Sequence, residues 1–154
     1  MGFFPFSKAK PIFTTDETSR IVSAIRTSEK TTSGEIRVYV EAKNPLVSPL
    51  ERAAEIFTDL KMERTDHRNG VLLYIAHKHH ELALFADEGI FQKAGKEFWE
   101  KEVNEMVANF KNNLLPEGII KCVLDIGNVL AEAFPYHATD DKNELPDDIV
   151  FGKL

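Results

Sequence analysis

The sequence predicts an α/β fold, a three-layer α/β/α sandwich of Rossmann-like architecture around a small mixed sheet. Three observations predict it. Helical and strand patterns alternate along the first half of the chain. Residues 71–76 form a continuous apolar run, which is typical of a strand covered on both faces. Only His77–His80 separates this run from the next strand pattern, and so short a link favours an antiparallel hairpin.

Local signals mark the first helix and the first strand. Thr14–Glu17 has the spelling of a capping box, and apolar residues follow it at helical spacing. These features predict a helix that ends near Lys30. After a break at residues 31–34, residues 35–41 alternate in polarity, which predicts a strand.

A second helix separates the first two strands. Ser48–Glu51 combines a capping box with proline at the first helical position, and an apolar stripe continues from there to Leu60. The strand at 71–76 follows, and then the strand at 81–86. A strand, helix, strand connection is right-handed and joins parallel strands, so the first and second strands are expected to be parallel. The third strand is antiparallel to the second, because the link between them is too short for a crossover.

Helices dominate the remainder of the predicted domain. Apolar residues recur at helical spacing over 90–110, and Gly95 is expected to divide this stretch into a short and a long helix. Leu115–Gly118 introduces a last helix, which Pro135 ends.

One domain accounts for the chain of 154 residues. We assign residues 14–135 to it, residues 1–13 to an N-terminal extension, and residues 136–154 to an acidic tail in which Ile149–Phe151 could dock. The net charge of −6, without a basic stripe, excludes a nucleic-acid groove. Cys122 is the only cysteine, and it is expected to be a buried, inert thiol on a helix. No signal peptide or membrane-spanning run is recognised, so we expect a cytoplasmic location. We further expect a monomer that acts with an unidentified protein partner.

The predicted topology brings three loops to one end of the sheet. They are Ser33–Glu35 before the first strand, Thr65–Gly70 before the second, and Asp87–Gly89 after the third. The carboxylates of Asp66, Asp87 and Glu88, with Ser33 or Thr65 and loop carbonyls, could hold Ca²⁺ or Mg²⁺, which take oxygen ligands. The alternative is purely structural, because acidic residues favour helix N-termini and Asn-Gly is a common turn.

Three histidines between the second and third strands are a further candidate site. His77, His79 and His80 could grip a transition metal, but no fourth ligand is near in sequence and a solvated turn is the simpler interpretation. No P-loop, dinucleotide fingerprint or G-x-S-x-G elbow is present. Hydrolysis of a phosphate ester would therefore need a water activated by a cation at the acidic loops.

An ordered set of motifs resembles the TPM domain family. The runs Ser33–Val40, Thr65–Ala76 and Phe85–Ile90 carry the resemblance, which spans about residues 14–135. Further matching positions follow these runs: Phe98, Trp99, Met106, Phe110, Gly118, Ile119, Phe134 and Pro135.

The resemblance implies a fold and a function. The family includes thylakoid-lumen phosphatase-like proteins, photosystem II repair factors and bacterial proteins of unknown role. Membership implies an α/β/α sandwich and divalent-cation binding at one end of the sheet, which carries over to Asp66, Asp87 and Glu88. It also implies a weak acid phosphatase as an alternative to a cation-binding accessory module. The loop Asp87–Gly89 departs from the glycine-rich loop of plant members.

Overall fold

A computed structural model describes residues 12–46, 48–136 and 148–154. Five helices and four strands lie in these ranges. The helices are α1 (Thr15–Glu29), α2 (Pro49–Asp59), α3 (Glu88–Ala94), α4 (Lys96–Lys111) and α5 (Leu115–Ala133). The strands are β1 (Glu35–Glu41), β2 (Gly70–Ala76), β3 (Glu81–Ala86) and β4 (Val150–Phe151). Most of the expected N-terminal extension and residues 137–147 of the expected tail lie outside the described residues.

The sheet is mixed, as the sequence predicts, and its strand order is β3-β2-β1-β4. β1 and β2 are parallel, with Glu35 opposite Gly70. β2 and β3 are antiparallel, with Val71 opposite Ala86. The α/β class and the antiparallel hairpin are therefore confirmed.

The short strand β4 lies beside β1. The sequence left open whether Ile149–Phe151 would dock on the domain, and β4 shows that this segment does. It pairs parallel to β1, with Val150 opposite Tyr39. Gly152 N donates to Val40 O at 2.8 Å, and Ala42 N donates to Lys153 O at 2.8 Å. These bonds extend the sheet to four strands across its β1 edge.

Helices cover both faces of the sheet and complete the three layers. On one face, alternate β1 residues such as Ile36 and Val38 join a core shared with α1, α4 and α5. On the other face, Leu72 and Tyr74 pack against α2, whose Phe57 is 3% exposed. β2 is buried on both faces, which explains its continuous apolar sequence.

The helix boundaries follow the signals in the sequence. Thr14 and Glu17 form both halves of the capping box of α1, and Ser48 accepts bonds from the first turn of α2. Gly95 has a φ of +88°, a left-handed conformation suited to glycine, and it separates α3 from α4. Cys122 is buried on α5, and burial raises the pKa of its thiol, which keeps it protonated and unreactive.

The helices of the described ranges all belong to the sandwich. The longest, α5, packs its apolar face against α1 and α4. None of these helices combines the length and the hydropathy that a membrane crossing requires.

Candidate metal centre

Three loops meet at one end of the sheet, as the topology predicts. Because β1 and β2 are parallel, the loops that precede them lie together, and antiparallel β3 ends beside them. Two backbone bonds tie the loops to one another. Glu35 N donates to Asn69 O at 3.4 Å, and Asp87 N donates to Gly70 O at 2.9 Å.

Asp87 is a buried acidic group of this loop cluster, as is Glu35 at the start of β1. Asp87 precedes α3 as the N-cap residue, and its Oδ1 accepts a bond from Glu88 N at 2.8 Å. Only 5% of its side chain is exposed. A buried carboxylate needs a compensating positive charge, because desolvation of an isolated charge is costly.

Arg68 supplies that charge. Its Nε donates to Asp87 Oδ2 at 2.7 Å, and its Nη2 donates to Asp87 Oδ1 at 2.9 Å. A third guanidinium nitrogen, Nη1, lies 3.2 Å from Glu88 Oε1. The hydrogen bond to Asp87 raises the pKa of Arg68, so the guanidinium stays charged. Arg68 therefore holds two of the three predicted ligands, Asp87 and Glu88, together.

The backbone around Arg68 is tightly specified. Arg68 has a φ of +51°, in the left-handed region that a side chain disfavours. Its carbonyl oxygen accepts a bond from Gly89 N at 2.8 Å. A Cβ on residue 89 would lie 2.1 Å from His67 O, so only glycine fits at this approach. The glycine of the sequence Asp87-Glu88-Gly89 is thus required by the backbone packing, while the two residues before it supply the negative charge.

Asn69 contributes an amide whose bonding is incomplete. The residue is 1% exposed, and its backbone N donates to Thr65 Oγ1 at 3.3 Å. Its Nδ2 donates to Ser33 Oγ at 3.3 Å. Its Oδ1 is buried and accepts no hydrogen bond in the structure. A buried amide oxygen without a donor suits a hard cation, which binds such oxygens.

Asp66 differs from the other two predicted ligands. It is exposed on the loop before β2. Among the described residues, the group of acidic side chains whose ligand atoms all lie within 4.8 Å of one another is a different one. The carboxylates of Asp66, Asp87 and Glu88 therefore do not all come that close together. The structure thus unites Asp87 with Glu88 and leaves Asp66 at the rim of the loops.

That other group is an acidic triad between α4 and α5, made of Glu102, Glu105 and Asp125. Lys121 Nζ lies 3.0 Å from Glu105 Oε1 and 2.7 Å from Asp125 Oδ2. Glu102 is 2% exposed, and its burial, with a hydrogen bond to Asp125, raises its pKa to about 7.

Sequence reasoning missed the triad, although one signal was available. Glu102 stands three residues after Trp99 and four before Met106, which places it on the buried stripe of α4.

The histidines at the opposite end of the sheet do not form a cluster among the described residues. His79 Nδ1 accepts a bond from Asn44 N at 3.0 Å, while the ring of His80 stacks on Phe110 with centroids 5.0 Å apart. Burial lowers the pKa of His77, which favours its neutral form. The exposed positions of His79 and His80 agree with the solvated turn that the sequence favours.

A buried charge network also lies at that end. Arg52 donates from Nε and Nη2 to the two oxygens of Glu41, each at 2.8 Å, and the Tyr74 hydroxyl donates to Glu41 Oε2. Burial works to raise the pKa of Glu41, but the bonds from Arg52 and Tyr74 outweigh it and lower that pKa. All the acceptor oxygens of this carboxylate are thus engaged by the protein itself.

Comparison with known proteins gives one family and several solved structures. The family model of the TPM domain matches residues 7–129. The NMR structure of the BA42 protein from the psychrophilic bacterium Bizionia argentinensis is 36% identical, covers 96% of this chain and 100% of its own, and has a TM-score of 0.85. No curated protein gives a significant match.

Two more distant structures share the fold alone. The N-terminal domain of a P. gingivalis protein is 13% identical, with coverage of 82% of both chains and a TM-score of 0.66. The N-terminal domain of cg2496 from Corynebacterium glutamicum is 9% identical, covers 77% of this chain and 74% of its own, and has a TM-score of 0.58.

Proposed function

Because this chain belongs to the TPM domain family, we propose that it is an accessory module that binds Ca²⁺ or Mg²⁺ at the loop end of its sheet. Asp87 and Glu88 supply carboxylates to the cation, and Asp66 adds a third from the rim of the loops. The bound cation orders the loop surface, which the module presents to a protein partner.

One observation carries the proposal: the Oδ1 atom of Asn69 is buried without a hydrogen-bond donor inside the loop cluster. Buried polar atoms in native proteins nearly always have a partner, and an unmet oxygen in an acidic site is what a cation would satisfy. The Asp87 carboxylate in the same cluster supplies the negative charge.

Thermal and calorimetric titration of chelator-stripped protein with Ca²⁺ and Mg²⁺ tests the proposal. At a hundredfold excess over Kd, a single site stabilises the fold by about 2.7 kcal/mol. The variant Asp87→Asn keeps an N-cap oxygen but loses the charge, so it should fold and bind at least about tenfold more weakly. Absence of binding by the unmodified protein at millimolar cation would overturn the proposal.

Asp16→Asn is a matched control for this variant. Asp16 lies in the first turn of α1 and pairs with Arg20 at 3.1 Å, so its replacement also removes a charge and an arginine pair near a helix N-terminus. It lies outside the loop cluster. Its cation affinity should equal that of the unmodified protein.

A metal-dependent phosphomonoesterase is the second candidate, favoured by cationic groups near the acidic loops. Arg68 reaches Asp87, and Lys93 Nζ lies 4.5 Å from the centroid of the Phe134 ring, which also contacts His67. Cations in these places could hold a phosphate beside a bound metal. Turnover of p-nitrophenyl phosphate that requires the metal, is lost in Asp87→Asn and persists in Asp16→Asn would support this candidate.

A further inference from the structure

We propose that Arg68 is a tethered competitor for the cation: its guanidinium occupies the acidic side of the loop cluster, and a divalent cation binds there by displacing it. This inference rests on the proposed function, since it concerns the regulation of the same site. Arg68 then sets the cation concentration at which the site fills.

Asp87 has too few acceptor positions for both Arg68 and a bidentate cation. A carboxylate offers about four lone-pair positions. Arg68 takes two of them through Nε and Nη2, and Glu88 N takes a third. One position remains, so Asp87 cannot hold both the guanidinium and a bidentate cation.

The charges of the site also set Arg68 against a bound cation. Asp87 and Glu88 together carry two negative charges, and Arg68 neutralises one of them from 2.7 Å and 3.2 Å. A divalent cation neutralises both. While the guanidinium stays in place, it repels the incoming cation and also occupies its ligands, so both effects lower the affinity.

The Arg68 side chain can leave the carboxylates without a movement of the loop. Its side chain is 44% exposed, whereas that of Asp87 is 5% exposed, so the guanidinium has a path to solvent. Its backbone is held separately, since Arg68 N donates to Thr65 O at 3.3 Å and Arg68 O accepts from Gly89 N at 2.8 Å. Rotation of the side chain alone opens the carboxylates.

The test compares Arg68→Gln with Arg64→Gln by calorimetric titration with Ca²⁺. Both variants remove one positive charge from the same segment, but Arg64 is exposed and forms no ion pair with Asp87 or Glu88. Arg68→Gln should bind at least about tenfold more tightly than the unmodified protein. Arg64→Gln should change the affinity by less than about twofold, because solvent screens exposed charges.

A direct readout of displacement is the Nε–H resonance of Arg68. It should exchange slowly with water before cation is added and rapidly at saturation. If Arg68→Gln fails to fold, Arg68→Asn replaces it, because asparagine accepts the left-handed backbone and is too short to span the contact.

The outcomes separate this inference from the function on which it rests. Equal or weaker Ca²⁺ binding by the Arg68 variants, with binding by the unmodified protein intact, would overturn the competitor and leave the proposed function standing. An Nε–H resonance that stays protected at saturation would do the same. If neither the unmodified protein nor the variants bind at millimolar Ca²⁺, the proposed function fails and the competitor fails with it.

Discussion

Replacement of Glu102 by glutamine should remove a loss of stability that the protein otherwise suffers as the pH rises from 4.5 to about 7. Glu102 is buried between α4 and α5, and its pKa rises from an ordinary 4.5 to about 7. Burial is the main cause, and the hydrogen bond with Asp125 is the next. The negative charge of Glu105 adds to both effects, while Lys121 opposes them.

The sign follows from proton binding. Below pH 4.5 the Glu102 carboxyl is protonated in both the folded and the unfolded chain. As the pH rises, the unfolded chain releases this proton first, so the folded chain binds more protons up to about pH 7. Stability therefore falls through this window. Each pH unit in this window lowers the unfolding free energy by about 1.4 kcal/mol for the one extra proton that the folded chain binds, so the whole loss is about 3 kcal/mol.

Urea unfolding of the unmodified protein and of Glu102→Gln at pH 4.5, 6, 7 and 8 measures this loss. The amide imitates the protonated carboxyl, so the two proteins should be similar at pH 4.5 and differ by about 3 kcal/mol at pH 8. Subtracting one unfolding free energy from the other removes the contribution of other titrating groups. These include His77, whose pKa is lowered by burial.

Glu105→Gln is the matched control. Glu105 lies one turn further along α4, with 37% of its side chain exposed and bonded to Lys121. This variant keeps Glu102 and should therefore keep the loss of stability with pH. A difference between the unmodified protein and Glu102→Gln that stays constant from pH 4.5 to 8 would refute the reasoning.

Three further variants probe the loop cluster and the network at the opposite end. Asn69→Asp should lower the unfolding free energy by about 3 kcal/mol in chelator, because it adds a buried charge, and saturating Ca²⁺ should restore it in the same unfolding assay. Gly89→Ala should cost about 3 kcal/mol through the clash with His67 O, measured by urea unfolding, and an unchanged midpoint would contradict that contact. Tyr74→Phe should cost about 2 kcal/mol by thermal unfolding, since Glu41 loses a buried charge-assisted bond.

The main features of the fold were predictable because the local sequence patterns indicate the same strands and strand directions that the whole sheet adopts. The apolar run in β2 implied burial on both faces, and the link His77–His80 forced an antiparallel hairpin. The convergence of three loops then followed from strand directions alone. β4 was left open because a two-residue strand has no periodicity, and its pairing with β1 depends on contacts distant in sequence.

The details of the candidate site could not be read from the sequence. Asp87 and Glu88 were predicted as ligands. The ion pairs that Arg68 forms with them depend on its left-handed backbone conformation, which no sequence pattern specifies. The unmet Oδ1 of Asn69 is visible only once every neighbouring donor is placed. Glu102 was overlooked because a charged residue in a polar helix is normally exposed.

The measurement that tests the central claim most directly is a Ca²⁺ and Mg²⁺ titration followed by amide chemical shifts, because it reports location as well as affinity. We expect shifts concentrated at residues 33–35, 65–70 and 87–90. The acidic triad at Glu102, Glu105 and Asp125 is the rival location within the described residues. Shifts confined to that triad, or a flat spectrum at millimolar cation, would contradict the account.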